Sequence, residues 1–194
     1  MKKIIKPVVF SLALVPFAVL LYTAIWGDLG PDPAKELSLE TGEWALRFLL
    51  IALAMTPLRQ IFNQIEFTRN RRMLGLFALF YATLHLFVWL TFLLQFRWAA
   101  IIEEVLERPY ITIGFAAYVI LFALGVTSPK VMVRKLGRFW KRLHRLVYLA
   151  GVLAIVHLLW ISRLDIGEAV LYGAVLAVLL GYRIYQSYKK ARTA

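Results

Sequence analysis

Cysteine is missing altogether from the 194 residues, histidine occurs three times, and 11 carboxylates stand against 23 lysines and arginines. Without thiols the chain forms no disulfide, iron–sulfur cluster or thiolate metal site, so any redox chemistry rests on histidine or on a bound cofactor. A strand-following G-x-G-x-x-G and a P-loop are also absent, which argues against a fused nucleotide-binding domain. No strand alternation, internal repeat or low-complexity run stands out. Charged residues make up only 18% of the chain. What fills it is apolar: 61% hydrophobic residues and a mean hydropathy of +0.72, well outside the range of a soluble domain.

A transmembrane helix takes roughly 20 mostly apolar residues. Six stretches come close, at about 8–26, 44–58, 73–95, 110–127, 145–161 and 168–186. The expectation is an all-α membrane protein, a six-helix bundle forming a single domain over 1–194. The first stretch has a basic flank but no small-x-small cleavage site after it, so it reads as a retained helix. Pro7 is expected to open it and Pro16 to kink it; Pro57 to close the second span; Pro109 and Pro129 to bracket the fourth.

Charge sorts by connection. Lys2, Lys3 and Lys6 precede the first span, Arg59, Arg69, Arg71 and Arg72 lie between the second and third, a run from Lys130 to Arg145 precedes the fifth, and Lys189, Lys190 and Arg192 end the chain. The alternate connections are acidic: Asp28, Asp32, Glu36, Glu40 and Glu43; Glu103, Glu104 and Glu107; Asp165 and Glu168. This is the positive-inside pattern, and it places both termini in the cytoplasm. The basic excess is thereby explained by topology and anionic lipid headgroups, with no nucleic-acid partner.

An imidazole inside a bilayer is costly enough to be read as functional. His85 lies 13 residues past Arg72, roughly 20 Å in from the basic edge at 1.5 Å per residue. His157 lies 12 residues past Arg145 on a span entering from the same side, so the two reach matched depths. Two such imidazoles across a bundle are the axial arrangement for haem iron; a hydrogen-bonded core histidine is the plainer alternative. Ala150 and Ala154, beside His157, leave room for a porphyrin edge, and Gly114 and Gly125 share one face of the fourth span. Tyr81, His85, Trp89 and Phe92 form one stripe, explained by packing or by electron stepping stones. His144, 13 residues before His157, is expected about 20 Å lower on the same helix. It reads either as the ligand of a second haem or as an interfacial histidine. The two imidazoles differ by about 220° around an ideal helix, so they share no face without an irregularity. Fourteen residues before His85 stands Arg71, a poor iron ligand but a good partner for a haem carboxylate. The Lys130–Arg145 cluster suits a flavin phosphate or an acidic electron donor as well as topology.

Six spans, a histidine within the third, and histidines 13 apart after "GRFWKRLHRLVYLAG" resemble the ferric reductase-like transmembrane domain shared by ferric reductases and NADPH oxidases. Those relatives carry four histidines in two pairs and usually a fused flavin and NADPH domain; here Arg71 stands in place of one histidine. The segments "TPLR", "RRMLGLFALFYATLHL", "TSPK" and "WKRLHRLVYL" are similar to the short bacterial branch of that family. This resemblance implies an inner-membrane b-type cytochrome with one or two haems, and FMN as a further family cofactor. Its electrons would come from quinol or a cytoplasmic flavin reductase and pass to a periplasmic molybdopterin enzyme that reduces methionine sulfoxide. The chain would be the electron-transfer subunit and not the catalytic one. The resemblance carries His85, His144 and His157 over as haem ligands and Arg71 as a cofactor-binding position. The cytochrome b anchor of another periplasmic oxidoreductase and a histidine-dependent transporter are the competing readings.

Overall fold

The computed structural model describes residues 2–162 and 166–192. Asp165, counted above among the acidic residues, lies outside them. Eight helices follow in order: α1 (Lys2–Trp26), α2 (Pro33–Phe62), α3 (Glu66–Val88, continuing into a π-helical turn at Trp89–Leu93), α4 (Trp98–Glu107), α5 (Pro109–Val126), α6 (Lys130–Leu143), α7 (Leu146–Ile161) and α8 (Gly167–Arg192). The described residues contain no strand. Helices α1, α2, α3 with its π turn, α5 and α8 are long and apolar enough to cross a membrane; α6 and α7 together make a sixth candidate, bent by 51° at their junction.

Two helices occupy segments read above as connections. In α4, Trp98, Ile102 and Leu106 line one exposed stripe beside Glu103 and Glu107. In α6, basic and apolar residues alternate with helical period, broken only at Gly137 (φ 50°, ψ −121°), a conformation open to glycine and closed to other residues. Their charges exclude them from a count of apolar runs, and their period makes them amphipathic helices.

Pro109 and Pro129 bracket α5 as expected, whereas Pro7 and Pro57 behave differently. Helix α1 begins ahead of Pro7, and α2 runs through Pro57 to Phe62, where Asn63 ends it in the left-handed region at φ 52°. A proline within a helix leaves the carbonyl four residues earlier without its donor. For Pro57 that carbonyl belongs to Leu53, and Arg183 Nη2 on α8 donates to it at 2.7 Å. The same guanidinium donates through Nη1 to Tyr148 Oη on α7 at 2.6 Å, so one side chain ties three helices together. Beside the expected Pro16 kink, Tyr81 Oη inserts into the α1 ladder. It donates to Ala13 O at 2.9 Å and accepts from Phe17 N–H at 2.9 Å, engaging both ends of one i to i+4 step of the α1 ladder.

Tyr81 is fully buried and stacks on Phe48 of α2, ring centres 5.2 Å apart at 12°. Its ring thus packs α2 on α3 while its hydroxyl holds α1. Its role in the fold is to join helices, in keeping with the packing reading of its stripe; Phe92, the last of that stripe, lies in the π turn and is exposed. Tyr81→Phe strands a backbone donor and acceptor in apolar surroundings, and is expected to cost about 1–3 kcal/mol. Thermal unfolding in detergent should show a lowered midpoint; an unchanged one would mean that α1 closes its own ladder.

Candidate functional site

Helices α2, α3, α5 and α7 enclose two cavities at opposite ends of the bundle. The larger, about 860 Å³, lies at the acidic end and is lined by residues from the start of α2, the end of α3, α4, the start of α5 and the end of α7, including His85 and His157. The smaller, about 480 Å³, lies at the basic end among residues from the start of α3, the end of α5, α6 and the start of α7, including Arg71 and His144. Leu49 and Leu121 line both and separate them.

In the larger cavity the rings of His85 and His157 have centres 6.2 Å apart and planes at 80°. Each ring spends one nitrogen on a backbone carbonyl. His85 Nδ1 donates to Ser38 O at 2.7 Å, and His157 Nδ1 donates to Tyr110 O at 2.6 Å. This fixes the proton on Nδ1 and leaves the Nε2 lone pair of each, which meets no hydrogen-bond partner among the described residues. Metal-bound histidines are oriented in the same way, the second nitrogen bonded to a carbonyl or carboxylate. The spacing fits as well: with metal–nitrogen bonds near 2.0 Å, two imidazoles on opposite sides of one metal have ring centres roughly 6 Å apart.

Two glycines make the rings' positions accessible. A Cβ at Gly42 would stand 3.1 Å from His85 Nδ1, and one at Gly114 would stand 2.7 Å from both Nδ1 and Cε1 of His157. Gly114 thus serves the histidine directly, whereas Gly125 packs on Leu79 of α3. Ala154 lines the larger cavity, but Ala150 is fully buried in the core and borders neither cavity. The volume is ample for a porphyrin-sized ligand, since small-molecule sites run from about 300 to 1,000 Å³. Donor set, spacing and clearance therefore fit a haem held by two imidazoles.

The site is built twice from one pattern. Ser38, Gly42 and His85 have counterparts 72 residues later in Tyr110, Gly114 and His157, and each histidine bonds a carbonyl 47 residues before it. The same offset relates Leu49 to Leu121, Ala82 to Ala154, and the fully buried Ala78 to Ala150. The hairpin α2–α3 and the pair α5–α7 thus place like residues at a constant 72-residue offset, and the two histidines meet in one cavity. The pattern is no repeat over the full length of either pair. Most of the matching residues face inward, and they are diluted among positions that differ.

His144 is not on α7. It caps α6 at the bend, in the irregularity that the 220° offset requires, and borders a different cavity from His157. Its ring stacks on Trp140 at 4.0 Å, and its Nε2 lies 3.2 Å from Thr127 Oγ1. Trp140 Nε1 donates to Thr127 O at 2.9 Å, fixing the lid of this cavity. Arg71 Nη1 donates to Thr56 Oγ1 at 3.3 Å. Arg71, Arg72, Lys141 and Arg145 all line the cavity, and no carboxylate among the described residues does.

Known proteins match along nearly the whole chain. The family model for the ferric reductase like transmembrane component covers residues 41–155, from the first third of α2 to the middle of α7; it includes His85 and His144 and stops two residues short of His157. The haem-binding subunit MsrQ of protein-methionine-sulfoxide reductase from Xanthomonas euvesicatoria pv. vesicatoria is 48% identical over 97% of this chain and 89% of its own length. The subunit of the same name from Xanthomonas campestris pv. campestris strain B100 is 44% identical over 97% and 89%, and that from Polaromonas naphthalenivorans is 43% identical over 96% and 87%. No solved structure matches the chain. Identity of this extent, carried across both helical pairs that build the larger cavity, makes the chain a member of the ferric reductase-like transmembrane family and, within it, of the MsrQ subunits.

Proposed function

We propose that this chain is a b-type cytochrome of the bacterial inner membrane, with both termini cytoplasmic, that passes electrons outward to a periplasmic molybdopterin methionine sulfoxide reductase of the MsrP type. The observation that carries this reading is the pair of imidazoles with matched carbonyl anchors and unengaged Nε2 atoms in one cavity. His85 and His157 would hold the iron. Haem supplies a one-electron carrier there. The carbonyls of Ser38 and Tyr110 hold both rings in one tautomer, Gly42 and Gly114 give them room, and the leucine and alanine walls keep water out.

The smaller cavity is assigned to a second, anionic cofactor, either another haem or FMN. Four cations without a lining carboxylate favour such a ligand, with Arg71 as a carboxylate or phosphate partner and His144 as the single imidazole on offer. The two cavities then stack across the membrane with Leu49 and Leu121 between them, the basic one nearer a cytoplasmic or quinol donor and the acidic one nearer the periplasm.

The reading is tested in nanodiscs by following the visible bands. A quinol, or a flavin reductase with NADH, is expected to reduce the protein. Reoxidation is expected only when the acceptor reductase and a methionine sulfoxide are both present. Bands that stay reduced with both present would contradict the assigned partner, and comparing the two donors identifies the entry route.

A further inference from the structure

The larger cavity has a polar mouth and an apolar floor, and the two ends impose different demands on a ligand. At the mouth the lining cations are Lys35 and Arg108, and the lining carboxylates are Glu43 and Glu104. Both carboxylates are already engaged: Glu43 with Arg47 at 2.5 Å, and Glu104 with Arg108 at 2.9 Å. The Lys35 ammonium has no ion-pair partner among the described residues, and the lysine is exposed. Arg108 uses one N–H on Glu104 and one on Tyr110 Oη at 3.0 Å, leaving others of its five donors over. The floor, by contrast, is Ala45, Leu46, Leu49, Ala117 and Leu121. A tetrapyrrole of the haem b type carries two carboxylates side by side on one edge. An unpaired carboxylate on that floor would be prohibitively desolvated.

Position in the fold sharpens the match. Lys35 lies one helical turn before Ser38, and Arg108 two residues before Tyr110, the residues whose carbonyls anchor the histidines. One cation therefore comes from the start of each helical pair, one residue off the strict 72-residue offset. The carboxylates of the tetrapyrrole are likewise disposed symmetrically about a line through its iron.

We propose that Lys35 and Arg108 form a carboxylate-binding rim that receives the two acid groups of the tetrapyrrole and fixes its polar edge toward the acidic end of the bundle. This rests on the haem reading above and adds the ring's orientation and its electrostatic control. Both residues act on the cofactor's potential: reduction adds one negative charge to it, and two nearby cations favour that state.

The test is Lys35→Gln/Arg108→Gln, read by redox titration and by transfer of haem to apomyoglobin. The two-histidine spectrum is expected to persist, the midpoint potential to fall, and transfer to accelerate about tenfold or more. Lys35→Arg/Arg108→Lys is expected to restore both. Lys35→Gln alone leaves the Arg108–Glu104 contact intact and is expected to show part of the potential shift. Unchanged potential and transfer would overturn the proposal while leaving the haem reading in place, as would faster transfer at unchanged potential, the signature of a loosened α4–α5 junction. A wild-type protein that takes up no haem would overturn the haem reading itself.

Discussion

His85→Ala and His157→Ala are each expected to abolish the same low-spin haem completely, while His144→Ala leaves that haem in place and removes or perturbs a second cofactor. The distinction follows from the walls of the two cavities. His85 and His157 face one space with their rings 6.2 Å apart, so either loss leaves one imidazole where two are needed. His144 borders the other space beyond Leu49 and Leu121, and its Nε2 sits against Thr127 Oγ1. Visible spectra and cofactor content of the three purified variants check this. Identical behaviour of all three would contradict the arrangement of two stacked sites.

Gly114→Ala is expected to have nearly as large an effect without touching a ligand. The new methyl would lie 2.7 Å from two atoms of the His157 ring, and a ring bonded to Tyr110 O has little freedom to retreat. The expected result is loss of most of the haem, or its conversion to a high-spin form with one imidazole displaced. Gly42→Ala meets His85 at 3.1 Å and is expected to be milder. Gly125→Ala meets the end of the Leu79 side chain, which can turn away, and, bordering the smaller cavity alone, should leave the haem held by His85 and His157 unchanged. Spectra of the three variants, recorded at equal protein concentration, separate a steric role at the imidazole from general helix packing.

How far the site was legible in the sequence differs from residue to residue. The meeting of His85 and His157 was readable because rise per residue is constant and the basic edges of both spans supply a common origin. Their anchors were not, because Ser38 and Tyr110 contribute backbone carbonyls, which any residue could supply. A signal did exist in the repeated spacings. Gly42, Ala45 and Leu49 match Gly114, Ala117 and Leu121, and Ala78, Ala82 and His85 match Ala150, Ala154 and His157. Comparing the chain with itself at inward-facing positions would expose this repeat; comparing all positions hides it under the lipid-facing ones.

The errors have equally local causes. His144 was projected along a straight helix, and the chain bends by 51° where it sits. Pro57 reads in the sequence as a terminator, yet Arg183, 130 residues from Leu53, supplies the donor for the carbonyl that the proline leaves free, and α2 continues to Phe62. Inside a membrane such rescue is the rule for proline, since no water is present to do it. It cannot be foreseen from the helix alone, because the rescuing group arrives from another element.

The most direct test of the central claim is the dithionite-reduced minus oxidised spectrum of the detergent-purified protein, with pyridine haemochrome and flavin quantified per chain. The account predicts sharp b-type bands and at least one haem per chain, with a second haem or one flavin filling the basic cavity. A protein that stays colourless when produced with ample haem would contradict it.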